Sequence, residues 1–240
     1  MTLSAIDIIL IAHSDHFIND PLSAEKIRSL GEQLRLSPEH EILDLASGSS
    51  GPAMVLAEAF GCRFTCVDWS PTGIRAARER SRARGLADLI EVIEADATTF
   101  HIEPGRYDVV MCLGATWIFH GLAGMLEAVE PGVKLGGHVL VGDVYRSSEA
   151  DPITDEFRFT FHELLEQFDE HGLPVVAYMR SSQDEWDRYQ SESARNYVDW
   201  LDVHPNHPDA EQVRHVRRLR SQRTAEGGWA IVAGRKTVNG

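Results

Sequence analysis

The sequence is short of cysteine, short of basic residues and free of long apolar runs, and each shortage removes a class of protein. Only Cys62, Cys66 and Cys112 occur in 240 residues. An odd, sparse set gives no disulfide framework and suits a reducing compartment, so a cytoplasmic location is expected. Cys62 and Cys66 would stand roughly 13 Å apart on an extended strand, too far to share one ion. No metal site is expected from them. Lysine and arginine total 23 against 37 aspartates and glutamates, a formal net charge of −14. A phosphate backbone or an anionic bilayer needs the opposite sign, so neither nucleic acid nor membrane is an expected partner. The apolar run over residues 6–12 contains Asp7 and has no basic lead, so no secretory leader is expected. No stretch is long enough to span a bilayer. Repeats and low-complexity linkers are also missing. What remains is an ordinary soluble domain with decorations.

What is present is organised around residues 41–60, EILDLASGSSGPAMVLAEAF. Ile42, Leu43 and Leu45 form an apolar run too short for a helix and read as a buried parallel strand. From Ala46 to Gly51 the side chains almost vanish, so backbone can approach a ligand. Pro52 then suits the first turn of a helix. Strand, glycine turn and helix N-terminus make either a small-molecule cradle or a plain structural turn. A second strand over 62–68 ends at Asp68, 20 positions after Gly48, where a carboxylate can accept both ribose hydroxyls of an adenosine.

Two families share that arrangement, the nicotinamide dehydrogenases and the class I S-adenosylmethionine-dependent methyltransferases. The pattern A-x-G-x-x-G over 46–51 fits both. ILDLASGSSG, with Asp44 near the strand's end, resembles the methyltransferase signature, although Ala46 and Ser50 replace two of its glycines. The leader HFINDPLSAEKIRSLGEQLRL is similar to that of small-molecule methyltransferases. The stretch from Pro131 to Gly137 is similar to the family's approach to its fifth strand. The resemblance implies S-adenosyl-L-methionine as cofactor, with Asp44, Ala46, Ser47, Gly48 and Asp68 in its site. It also implies that Asp96 receives the adenine amine, that the Ala97 backbone meets a ring nitrogen, and that backbone near Leu113 holds the methionine end. Trp69 either stacks on the adenine or packs a helix.

The implied fold is α/β: a doubly wound, Rossmann-like, seven-stranded and mostly parallel sheet with an antiparallel C-terminal strand and a helical cover. Periodicity supports it with strands expected over 62–68, 89–94, 107–113, 138–144, 173–179 and 229–235. Helices are expected over 3–12, 24–36, 71–84, 117–129, 153–171, 183–201 and 209–223. Residues 1–22 are read as an N-terminal lid segment and 23–240 as the methyltransferase domain, with the cover and acceptor region inside 150–225. His13, Asp15, His16 and Asp20 have no spacing that converges on a metal, which leaves a ligand-covering segment or a solvated loop. Trp186, Tyr189, Tyr197 and Trp200 form either a packing face or a substrate box. The arginines from Arg214 to Arg223 are a solvated face or bind an acidic substrate.

Chain logic places the acceptor beside the ends of the fourth and fifth strands. His16, Trp117, His120, Asp143, Tyr145 and Trp186 are its expected neighbours. The expected reaction is methyl transfer to a small molecule, with no catalytic side chain required. A nicotinamide oxidoreductase is the alternative, without a convincing Tyr-x-x-x-Lys pair. A cofactor-binding regulator without turnover is the third. The acceptor atom and the oligomeric state stay open.

Overall fold

Glu41–Leu45 (β1) lies mid-sheet because every residue after Glu41 is buried, Asp44 included. The computed structural model describes residues 2–147, 159–223 and 227–238. Around β1 stand Arg63–Asp68 (β2), Ile90–Glu94 (β3), Tyr107–Leu113 (β4), Val133–Arg146 (β5), Val175–Arg180 (β6) and Gly227–Arg235 (β7). They form one seven-stranded sheet in the order β3-β2-β1-β4-β5-β7-β6. The pairs from β3 through β5 are parallel, whereas β7 runs antiparallel to both β5 and β6. The strand order reverses between β1 and β4, the place where open α/β sheets leave a ligand crevice.

Helices Ala24–Gln33 (α2) and Gly51–Phe60 (α3) cover one face, packing Ile27, Leu30, Met54 and Leu56 against Ile42, Phe64 and Met111. Leu122–Val129 (α5) and Phe161–Glu170 (α6) cover the other, with Met125, Leu126 and Phe168 against Leu43, Leu45 and Val110. Pro71–Ala83 (α4) connects β2 to β3. A separate cluster joins Ala5–Ala12 (α1), Gln183–Val203 (α7) and Ala210–Arg223 (α8) through Ile8, Tyr197, Leu201 and Val213. These three helices stand over the carboxyl ends of the strands.

Four expected elements differ. Strand β5 begins at Val133 rather than at 138. Helix α2 stops at Gln33 rather than at 36, with Arg35 in the left-handed region at φ 54°. The helix expected over 117–129 is broken: a 3₁₀ turn, Thr116–Phe119, ends on left-handed His120, and Gly121 at φ 108° starts α5 afresh. Only glycine reaches that φ cheaply. Helix α6 starts at Phe161, where Thr160 and Glu163 make a capping box. Residues 153–158 of the expected span, Phe157 among them, lie outside the described residues.

The start of α2 is fastened to α7 through one carboxylate. Glu185 is 9% exposed and accepts from Ser23 N at 2.9 Å, Lys26 Nζ at 2.5 Å and Ser182 N at 2.8 Å. Burial pushes its carboxyl up, but the Lys26 ammonium and the Ser182 and Ser23 donors outweigh that and hold it down at about 2. Removing one member of such a pair strands the other and costs about 3 kcal/mol when buried. Glu185→Gln should therefore lower the unfolding free energy at pH 7 by about 1–3 kcal/mol, since Lys26 keeps some solvent access. A depressed carboxylate stabilises above its unfolded pKa and loses that contribution as pH falls through its folded value. The wild-type advantage should hold down to about pH 4.5 and shrink towards about pH 2 in calorimetric unfolding.

Candidate active site

The carboxyl ends of β1, β2, β4 and β5 open into a cavity of about 940 Å³, closed from above by the N-terminal segment, α7 and α8. Its floor is the turn after β1. Ala46, Gly48 and Ser50 all have left-handed backbone, with φ of 55°, 54° and 57°. The two positions that depart from the glycine pattern thus keep the conformation glycine would adopt, at about 1–2 kcal/mol each. Asp68 bridges this turn to the next helix. It accepts from Gly48 N and from Ser70 N, both at 2.7 Å. Burial raises its carboxyl, with the Ser70, Gly48 and Trp69 amides opposing.

Most residues expected from sequence meet on this wall. Ala46, Gly48, Asp68, Trp69, Asp96, Ala97 and Leu113 line one end. Trp69 is 56% exposed, so helix packing does not explain it. Asp96 accepts from Thr98 N and Thr98 Oγ1, whose bonds hold its carboxyl low. Asp44 and Ser47 lie beneath the turn, in a small cleft next to the cavity. Asp44 is 2% exposed and its Oδ2 has no hydrogen-bond partner. His16, Trp117, Asp143 and Trp186 line the remaining wall, and Asp143 accepts from Thr116 Oγ1 and from Val144 N at 2.7 Å.

Two expected acceptor neighbours are elsewhere. His120 closes the 3₁₀ turn and faces solvent, because the chain turns left-handed there instead of continuing a helix into the cavity. Tyr145 is carried past the rim because β5 keeps pairing with β7 as far as Arg146. Its hydroxyl accepts from Arg180 Nε at 2.9 Å, and its ring packs on Phe161 at 5.3 Å.

Other wall residues were not singled out from sequence as site residues. Asn19 and Asp20 cross over the glycine turn, and Arg80 donates to His16 O at 3.0 Å and Ser49 Oγ at 3.1 Å. The aromatic face of α7 divides: Trp186, Tyr189 and Tyr197 reach the cavity, while Trp200 stacks on His204 at 4.6 Å. Of the basic run on α8, Arg220 turns inward, 5.9 Å over the Tyr189 ring. His13 Nε2 lies 2.7 Å from Tyr189 Oη and stacks on His16 at 5.5 Å. Among the described residues no group of three or more His, Cys, Asp or Glu is placed to hold a metal.

Residues 42–137 match the family model described as "Methyltransferase domain". The chain is 31% identical to YjhP of Escherichia coli K12, an uncharacterised protein, over 94% of this chain and 96% of that one. It superposes with TM-score 0.86 on a SAM-dependent methyltransferase from Geobacter sulfurreducens in complex with S-adenosyl-L-homocysteine. There the identity is 30%, over 97% of this chain and 99% of that one. This chain belongs to the S-adenosylmethionine-dependent methyltransferases. Membership decides against the nicotinamide and turnover-free readings. The glycine/sarcosine/dimethylglycine N-methyltransferase of Actinopolyspora halophila is 30% identical over 55% of this chain, which spans 24% of its length.

The methyltransferase carries neutral imidazoles at the far end of its cavity. Burial, then the Arg220 charge, then His16 push His13 down to about 3. His16 is also lowered by burial, against the pull of Glu192 and Asp15. A histidine neutral in the native state takes up its proton only on unfolding, so stability is lost as pH falls below the unfolded value near 6.5. Each such histidine contributes up to about 1.4 kcal/mol per pH unit. Unfolding between pH 6.5 and 4 should therefore be steeper in the wild type than in His13→Gln; equal slopes would place His13 in water.

Proposed function

We propose that this methyltransferase moves the donor's methyl group to a small molecule enclosed between the N-terminal segment, α7 and α8, and that it does so in the cytoplasm. The observation that carries the reading is the single continuous cavity from Asp68 to Tyr189, roofed by those elements. A roofed pocket of this size suits a small acceptor beside the cofactor. The Actinopolyspora relative's named acceptors are small molecules too. Three unpaired, buried cysteines support a reducing compartment.

On this reading Asp68 accepts the ribose hydroxyls, Asp96 and the Ala97 amide read the adenine edge, and Trp69 stacks on it. Ala46, Ser47, Gly48 and Leu113 present backbone to the methionine end, with Asp44 behind them. The donor set fits a cationic ligand: the carboxylate of Asp44 is buried with an unpartnered oxygen. S-adenosylmethionine supplies a methyl group activated by its sulfonium. The chain's part is to align the acceptor and exclude water. Ile6, Ile9 and Leu10 of α1 contribute apolar wall there. His16, Trp117, Asp143 and Trp186 flank the acceptor. His16, with the Glu192 carboxylate 3.4 Å from its Nε2, can take a proton that the acceptor loses, whereas His13, held at about 3, cannot.

Titration with S-adenosylhomocysteine tests the cofactor half. Each charge-assisted bond to Asp68 is worth about 1.5–3 kcal/mol, so Asp68→Ala should raise Kd about tenfold to a hundredfold or more. An unchanged Kd would put Asp68 outside the site. For the acceptor half, Trp186→Ala should raise the acceptor KM, with cofactor Kd within about twofold. If it loses cofactor affinity and keeps wild-type acceptor kinetics, the acceptor lies elsewhere.

A further inference from the structure

At the end of the cavity away from the glycine turn, two helices turn apolar stripes toward the bound space. On α1 and its C-cap, Ile6, Ile9, Leu10 and His13 fall at i, i+3, i+4 and i+7, and all four line the cavity. On α8, Val216, Leu219 and Arg220 fall at i, i+3 and i+4 and do the same. Ile9 is 38% exposed, so the α1 stripe is not absorbed by the helical cluster built on Ile8, Leu201 and Val213. A stripe of this kind suits the apolar body of a ligand.

The same end is electropositive. Two arginines line the cavity among the described residues. Arg80 is engaged at the glycine turn, where it donates to His16 O and Ser49 Oγ. Arg220 stands 5.9 Å over the Tyr189 ring, and its charge acts on His13, His16, Tyr189 and Tyr197 alike. Burial leads in each case. With Arg220 it pushes His13 down to about 3, and it raises the Tyr189 and Tyr197 phenols against the pull of Arg220. These three groups therefore stay uncharged at pH 7 and do not cancel its field. Asp20 reaches Tyr189 from the side of the glycine turn. Asp15 and Glu192, which act on His16, line a separate hollow between the N-terminal segment and α7. A fixed cation in an apolar wall draws an anion into the space it faces. A guanidinium also presents a planar fork of donors that matches a carboxylate. One such cation offsets one negative charge, which favours a carboxylate over the dianion of a phosphate monoester.

We propose that the acceptor is an amphipathic monocarboxylic acid, its carboxylate received by Arg220 and its apolar body lying along Ile6, Ile9, Val216 and Leu219. This rests on the enclosed acceptor site proposed above. The acid is a handle, and the methylated atom is a different one, at the end of the molecule nearer Trp117 and Asp143. Of the basic run on α8, Arg220 is then a specificity-determining residue.

Isothermal titration of the full chain saturated with S-adenosylhomocysteine tests this. The probes are phenylacetate, indole-3-acetate and octanoate, each against its primary amide, together with phenyl phosphate. In the wild type at least one acid should bind about tenfold or more tighter than its amide. Arg220→Met should bring that pair within about threefold by weakening the acid alone, with the Kd of S-adenosylhomocysteine within about twofold as the check on folding. Acids and amides that bind the wild type equally would overturn the proposal, as would an acid preference that survives in Arg220→Met. Tighter binding of phenyl phosphate than of phenylacetate would overturn the choice of a carboxylate. Amides bound and acids excluded would remove the charged handle while leaving the enclosed acceptor site standing. If neither acids nor amides bind the complex, the enclosed site itself has failed, and the acid handle with it.

Discussion

The site depends on one close approach: the N-terminal segment lies directly on the start of α3. A Cβ at Gly51 would stand 2.0 Å from Phe17 O, so no other residue is accommodated there without moving backbone. The contact is reinforced from the other side. The Arg84 guanidinium sits 4.2 Å over the Phe17 ring, and Arg80 donates to the neighbouring carbonyl of His16. An arginine over an aromatic ring contributes about 0.5–1 kcal/mol where solvent reaches it. With Phe17 seated, the next residues are placed. His16 is held among α7 side chains, Asn19 and Asp20 cross the glycine turn, and Ser23 reaches Glu185. A loop with two histidines and two aspartates becomes a roof because its backbone has one place to lie.

This alters the meaning of the glycine turn. The pattern over 46–51 was read as backbone made available to a ligand, and Gly48 lining the cavity accords with that. Gly51 serves a different end, since the space its missing side chain leaves is filled by protein. Likewise Gly73 lets α4 approach the turn, with Gly48 O 3.0 Å from where a Cβ would be. Similarly, Gly142 admits the Trp229 ring, 2.3 Å from its own Cβ position.

The sheet was legible in the sequence because its strands are short apolar runs punctuated by turns, and the period speaks for each locally. The end of the wall lined by Asp68, Asp96 and Leu113 was legible for the same reason: Asp68 and Leu113 end their strands and Asp96 follows β3 by two residues. The antiparallel direction of β7 came with the family resemblance, not with the strand's own period. Legibility failed where position depends on partners distant in the chain. Tyr145 seemed to emerge at the ligand side, but pairing with β7 runs three residues beyond Asp143 and delivers it to Arg180. His120 was placed by an unbroken helix, whereas the chain turns left-handed at His120 and restarts after Gly121. Asp20 gave no signal of its own, because its burial is set by Gly114 and the floor of the turn, more than twenty residues away.

The two ends of the cavity are electrically unlike, and this bears on turnover. Asp20, Asp44 and Asp68 gather around the glycine turn, and burial raises all three. The opposite end holds neutral imidazoles, phenols and the Arg220 cation. On the proposed placement, the methyl donor arrives with a sulfonium charge near the boundary between these regions, and the product lacks it. When ionised, these carboxyls attract the first more strongly than the second in a medium of low polarity. The same groups therefore favour the donor over the product without any change of shape. A chain with net charge −14 extends the bias outward, because its long-range field also favours the more cationic ligand.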